Sequence, residues 1–231
     1  MTTDFKHIAF ILDGNRTWAR KNAIPQMLGH KRGYENARDL TKYARKYRIK
    51  YITYYVFSTE NWKRSEEEVS YLMNLFREML DVDLSFFGNE KICIKVIGNI
   101  SKIPGDIIEQ IKVLEEKTKH NTELTVALAI SYSSRDEIVR ASKKMIQDAI
   151  DGNINVDNLT EETFSGYLDT AGIPDPDMII RTKEHRLSNF LLWQGAYSEI
   201  LFVDKFWPEF EEEDLKNAMD ELSKRVRNYG R

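Results

Sequence analysis

The chain has 231 residues, of which 42% are hydrophobic and 31% charged, and a formal net charge of −3. That balance excludes a disordered chain and a general nucleic-acid binder, while leaving room for a local cationic pocket. A single cysteine, Cys93, excludes an intrachain disulfide, and no apolar run approaches the ~18 residues of a membrane span.

Residues 1–231 read as one domain, because no linker-like shift of composition divides them. The opening MTTDFKH lacks the apolar core of a secretory signal, so the expected location is the cytoplasm. Short β-rich runs alternate with segments of helical period, the pattern of an α/β fold with a mostly parallel sheet surrounded by helices. The first run, HIAFIL, stops at DGNRTWARK. An ordinary turn accounts for that break, and so does a site where a carboxylate and backbone amides await an anion. A helix over 33–47 leads to the second strand, KYITYYVF, and then to the polar string STENWKRSEEE. Ser65 and Glu68 have capping-box spacing at the start of a helix over 65–85, along which Val69, Leu72, Met73, Phe76, Met79, Leu80 and Leu84 form an apolar stripe. The third strand, KICIKVIG, lies between Gly88 and Gly98 and makes Cys93 a buried residue. A helix over 104–119, the strand LTVALAISY, a helix over 135–150 and the strands DMIIRT and EILFVD follow. The last helix, over 211–228, carries Leu215, Ala218, Met219, Leu222 and Val226 and ends in the basic RVRNYGR.

In an open parallel sheet, ligands bind beyond the carboxyl ends of the strands, where helices begin. Polar clusters follow the first, second, fourth and fifth strands: DGNRTWAR, STENWKRSEEE, SYSSRDE and RTKEHRLSN. They offer the cations Arg16, Arg20, His30, Lys31, Arg32, Lys63, Arg64, Arg181 and Arg186, with Asn15, Ser58, Asn61, Ser188 and Asn189 as neutral hydrogen-bonding groups. Such a set suits a diphosphate, whose oxygens guanidinium groups hold in pairs. No phosphate-loop, dinucleotide or nucleophile-elbow motif is present, and the scattered histidines with one cysteine do not have zinc spacing.

The strings HIAFILDGNRTWA, GHKRG, YYVFSTENWKRSEEEV, SYSSRDEIVRA and DPDMIIRTKEHRLSNFLLWQGAYSEILF, with the closing FWPEF and RNYGR, resemble in order and spacing the cis-prenyltransferases, the undecaprenyl diphosphate synthase family. The resemblance implies a parallel six-stranded sheet and a homodimer that condenses isopentenyl diphosphate with an allylic diphosphate, farnesyl diphosphate being the expected primer. It implies magnesium (Mg2+) as cofactor. By the same resemblance Asp13 supports metal-assisted departure of the allylic diphosphate, and Glu199 completes a magnesium position near isopentenyl diphosphate. Arg181, Arg186 and Ser188 hold isopentenyl diphosphate; Gly14, Asn15, Arg16 and His30 surround the allylic diphosphate. Asn61 and Arg64 act near the reacting groups, and Trp18, Ser58, Glu60 and Trp62 fall in the same substrate-binding strings. The stripe on the 65–85 helix, Phe76 with Phe86 and Phe87, becomes the expected wall for the prenyl chain. Peripheral membrane contact is expected during product release. The trans-prenyltransferases instead use D-D-x-x-D motifs, which this chain lacks.

Departures from the family pattern are Thr17 and Gln26 at positions where phosphate-binding arginines are usual, and RTKEHRLSNF, shorter by one residue and without its glycine pair. Ser133 and Ser134 replace another glycine pair, and Val56 replaces an alanine before FSTEN. They motivate two alternatives: a divergent member making short or irregularly coupled products, and a non-catalytic lipid-binding partner subunit. The second is opposed by the presence of both Asp13 and Glu199.

Overall fold

The computed structural model describes residues 5–225, with the backbone but not the side chains of residues 81–85, 88 and 89. The opening MTTD, the side chain of Leu84, Val226 and the closing RNYGR therefore lie outside the described residues.

Five residues, His7–Ile11, form β1, and all five are buried, as expected of a strand covered on both faces. Ile8 and Phe10 point into one apolar layer and Ala9 and Ile11 into the other, following the two-residue period of a strand. The remaining strands are β2 (Tyr51–Ser58), β3 (Ile92–Ile97), β4 (Leu124–Tyr132), β5 (Met178–Thr182) and β6 (Glu199–Val203). Their order is β3-β4-β2-β1-β5-β6, and every pairing is parallel. All six expected strands are present, within a residue or two of their expected ends.

The helices are α1 (Asn15–Lys21), α2 (Gln26–Lys46), α3 (Glu66–Asn89), α4 (Gly105–Thr118), α5 (Ser134–Ile150), α6 (Glu161–Ser165) and α7 (Glu212–Lys224). Three boundaries differ from expectation by more than two residues, one of them the end of α7, which stops at Lys224 with Arg225 extended and not at 228. Helix α2 starts at Gln26 rather than 33, carrying Gly29 and Gly33 inside it. A Cβ on Gly29 would stand 2.2 Å from the Asn15 carbonyl oxygen, and one on Gly33 would stand 2.4 Å from Asn15 Oδ1. These glycines let α1 and α2 touch and do not break the helix. Helix α3 runs on to Asn89, so Gly88 lies in its last turn and not in a strand flank. The short α6 was not foreseen.

The FWPEF segment ties this frame together. Trp207 is fully buried; its Nε1 donates to Gly33 O at 2.7 Å and its backbone N donates to Asp13 O at 2.9 Å. Asn36 Nδ2 in turn donates to Trp207 O at 2.7 Å and Phe210 O at 2.9 Å. Helix α2, the β6–α7 connection and the end of β1 are thereby fixed to one another. Cys93 is buried and free, as expected.

Candidate active site

Strands β1 and β5 are neighbours, with Ile11 opposite Arg181. Both chains therefore emerge at the same end of the sheet, and the backbone there is pinned before any ligand arrives. Asp13 N donates to Thr182 Oγ1 at 3.0 Å, and Thr182 Oγ1 donates to Asp13 O at 2.8 Å. Gly14 follows with φ +101, a left-handed conformation that costs a side-chain-bearing residue ~1 kcal/mol or more. A Cβ there would also meet Phe206 Cδ1 at 2.8 Å. The carboxylate is consequently aimed, not free: Gly14 N donates to Asp13 Oδ1 at 2.8 Å and Arg181 Nη2 donates to Asp13 Oδ2 at 2.7 Å.

Arg181 is 3% exposed, so its charge is held in a low-dielectric wall and depends on its partners. Besides Asp13, Nη1 donates to Ser188 Oγ at 2.6 Å and to the Arg186 carbonyl. Its Nε has no hydrogen-bond partner among the described residues. The RTKEHRLSNF loop reaches this arrangement without glycine: Lys183, Ser188 and Asn189 take φ values of +71, +49 and +62. The serines in place of the second glycine pair act as fasteners. Leu192 N donates to Ser134 Oγ at 2.8 Å, and Thr59 Oγ1 donates to Ser133 Oγ at 2.8 Å.

Beside this cluster opens a cavity of about 710 Å³. Of the expected site residues, Asp13, Asn15, His30, Ser58, Glu60, Asn61, Arg64, Arg181, Arg186 and Ser188 line it. Gly14, Arg16, Trp18 and Trp62 do not. Gly14 sets the backbone. Trp62 donates from Nε1 to Ser131 Oγ at 2.9 Å and packs edge-on to Phe57, a supporting position. Arg16 is tied by Nε to Gln26 Oε1 at 3.0 Å, and its Nη1 lies 3.3 Å from Glu68 Oε2. Gln26 thus orients the neighbouring cation where a second arginine was expected. Asn61 accepts Ser58 N on Oδ1 at 3.0 Å, and Asn189 Nδ2 donates to Glu60 Oε1 at 3.2 Å. Burial, reinforced by the charge on Arg64, pushes the His30 pKa down to about 4, so its ring is neutral near pH 7.

Away from the cations the cavity is apolar. Leu72, Phe76 and Met79 of the expected stripe line it with Phe87, and Val56 lines it as well. Phe86 does not; its ring lies under the Arg38 guanidinium at 4.5 Å. Tyr34, Arg38 and Leu75 are lining residues that the sequence reading missed. Leu75 follows Leu72 by three positions, a spacing that was available to find it.

The two carboxylates expected to share magnesium do not meet within one chain. Glu199 opens β6 opposite Met178, whereas Asp13 follows the end of β1, level with Arg181 and beyond. Met178 and Arg181 are three strand steps apart, or ~10 Å. Glu199 instead accepts from Arg225. Among the described residues no three His, Cys, Asp or Glu side chains cluster as a metal cage. Magnesium is nevertheless content with one carboxylate, waters and phosphate oxygens. Asp13 at the cavity edge and the buried, unpartnered Asn15 Oδ1 are oxygen donors that suit it.

A model of the putative undecaprenyl diphosphate synthase family matches residues 11–230. An isoprenyl transferase from Treponema denticola is 45% identical over 231 residues, covering 100% of this chain and 99% of that one. Another, from Agrobacterium fabrum, is 42% identical and covers 97% and 92%. Among solved structures, the lavandulyl diphosphate synthase of Lavandula x intermedia, in complex with dimethylallyl diphosphate, superposes with a TM-score of 0.95 at 32% identity, covering 100% and 99%. A probable undecaprenyl diphosphate synthase from Campylobacter jejuni gives 0.83 at 34% identity, covering 99% of each chain. With the motif residues gathered at one end of the sheet and matches that run the length of the chain, this protein belongs to the undecaprenyl diphosphate synthase family of cis-prenyltransferases.

Proposed function

We propose that the protein condenses isopentenyl diphosphate with an allylic diphosphate, farnesyl diphosphate in the leading case, to give a Z-polyprenyl diphosphate. The observation that carries this reading is a single cavity with Asp13, His30, Arg64, Arg181, Arg186 and Ser188 at one end and Leu72, Phe76, Met79 and Phe87 along it. Cations and neutral donors suit two diphosphates, and the apolar wall suits a prenyl chain, whose burial stabilises by ~0.8 kcal/mol per CH₂.

In this reading Arg64, Arg16 and the neutral His30 receive the allylic diphosphate, while Arg181, Arg186 and Ser188 receive isopentenyl diphosphate. Charge grows on the allylic diphosphate as its C–O bond breaks, and fixed donors aimed at it lower the barrier because they need no reorganisation. Asp13 and the ligand's own oxygens would hold Mg2+, which supplies charge neutralisation at the leaving group. Asn61, locked by its bond from Ser58 N, keeps its amide donor for the reacting ends. The apolar wall of Leu72, Phe76, Met79 and Phe87 shields the developing allylic cation from water on that side.

The protein acts as a homodimer in this proposal. On the edge strand β6, Ile200 and Phe202 are 36% and 38% exposed, an apolar surface that a second copy would cover. A metal role for Glu199, on the same strand, is then confined to what the second copy brings to it. No helix among the described residues is long and apolar enough to cross a membrane, and membrane contact during product release is proposed as peripheral.

One observation favours a second reading, short or irregularly coupled products: the close superposition with the lavandulyl diphosphate synthase. Purified protein incubated with Mg2+, labelled isopentenyl diphosphate and, separately, dimethylallyl, geranyl or farnesyl diphosphate distinguishes the two by product size. Long Z-chains from farnesyl diphosphate are expected. Only short or branched products would transfer the assignment to the second reading, and no incorporation at all would favour a non-catalytic partner.

A further inference from the structure

Glu68 is a charged side chain turned inward. It lies in the first turn of α3 and is 9% exposed, beside Glu66 and Glu67, which are exposed. Its carboxylate faces groups from three different elements. Arg64 Nη1 donates to Oε1 at 2.9 Å, Arg16 Nη1 of α1 lies 3.3 Å from Oε2, and His30 Nε2 of α2 lies 3.5 Å from Oε1. Helix capping does not call for this arrangement, because Glu68 N already donates to Ser65 Oγ at 3.3 Å. Nor does packing: a carboxylate in a partly dry cleft loses hydration and is retained only where its partners compensate.

Those partners are the groups assigned above to the allylic diphosphate. We propose that Glu68 is an internal stand-in for that diphosphate, neutralising Arg16 and Arg64 beside the neutral His30 while the site is free and yielding all three when the ligand arrives. The inference rests on the reading of these residues as the diphosphate site. A diphosphate with bound cation brings more oxygens and more negative charge than one carboxylate, so it displaces Glu68; when inorganic diphosphate leaves, Glu68 returns and keeps the cations from holding it. Leu72, Phe76 and Met79 lie on the same helix and line the cavity. The phosphate end and the hydrocarbon end of the site thus share one rigid element.

The test is binding of inorganic diphosphate, with Mg2+ present, to the wild-type protein and to Glu68→Gln by isothermal titration calorimetry. Removal of a competing ion pair predicts about tenfold tighter binding to Glu68→Gln. In parallel, thermal unfolding should show the variant less stable than wild type when ligand-free, with the difference closing at saturating diphosphate. Equal or weaker binding, or a stability deficit that is the same with and without diphosphate, would mean that Glu68 merely positions its neighbours, and would overturn the proposal. Binding to neither protein would overturn the reading of the site itself. Glu68→Asp, which keeps the charge but shortens its reach, supplies the same comparison if the glutamine variant fails to fold, with a smaller tightening expected.

Discussion

Asp13 and Arg181 make a pair in which each is aimed by the other, and the catalytic reading depends on that aim. Asp13→Asn keeps the shape of the side chain but removes the charge that faces Arg181 Nη2 and the metal position. Turnover should fall by at least ~100-fold, the loss seen when one preorganised electrostatic group is removed. The circular-dichroism spectrum should be unchanged; turnover within a few-fold of wild type would remove Asp13 from the chemistry. Gln26 gives a milder case. Its bond from Arg16 Nε positions the cation that replaces a missing arginine. Gln26→Ala should raise KM for the allylic substrate about tenfold, the equivalent of ~1.4 kcal/mol, with little change in kcat. A kcat effect without a KM effect would contradict the role. At this scale the motif strings identified most lining residues because each stands next to a strand end. They could not reveal that Gln26 works through Arg16, since two side chains ten positions apart meet only once α1 and α2 pack.

Among the elements, α1 and α2 show how close packing was misread. The apolar pattern places the start of α2 at 33, the last residue of GHKRG, whereas the helix already contains Gly29 and Gly33, whose missing Cβ atoms permit contact with Asn15. Gly29→Ala would place a methyl 2.2 Å from the Asn15 carbonyl oxygen. That overpacking should cost about 1–3 kcal/mol in urea denaturation and should also raise KM by displacing Asn15; an unaltered denaturation midpoint would refute it. Strand β1 carries a second prediction. Buried His7 lies with Nδ1 2.6 Å from Pro174 O and Nε2 2.8 Å from Thr53 Oγ1, tying β1 to β2 and to the segment before β5. Burial lowers its pKa to about 4 from 6.5. Above pH 6.5 neither folded nor unfolded chain protonates it, and its full contribution is present. Between pH 6.5 and 4 the unfolded chain binds a proton that the folded chain refuses, so stability falls as pH falls, by on the order of 3 kcal/mol for this residue. His30, shifted in the same direction, adds to the same window. Unfolding free energies measured across that range should show the decline, and His7→Gln should flatten part of it.

Over the whole molecule, the parallel sheet has one ligand end, and that asymmetry separates what the sequence makes legible from what it does not. Strand ends are legible because buried runs such as HIAFI and MIIRT stop where polar residues begin. Strand order is not, since neighbours β1 and β5 are some 170 residues apart in the chain and pair only after folding. Glu199 opens its strand where Asp13 follows one, a distinction that the order of residues in EILFVD and HIAFILD already contains. The edge strand carries the dimer prediction: Phe202→Asp should convert a dimer to a monomer in sedimentation velocity, and an unchanged sedimentation coefficient would place the interface elsewhere. A crystal structure with Mg2+ and a thiolo analogue of the allylic diphosphate would show whether one crevice receives both diphosphates beside Asp13. Diphosphate density is expected in reach of Asp13, Arg64 and His30, with the prenyl chain along Leu72 and Phe76. Density for the analogue elsewhere, with this crevice empty, would contradict it.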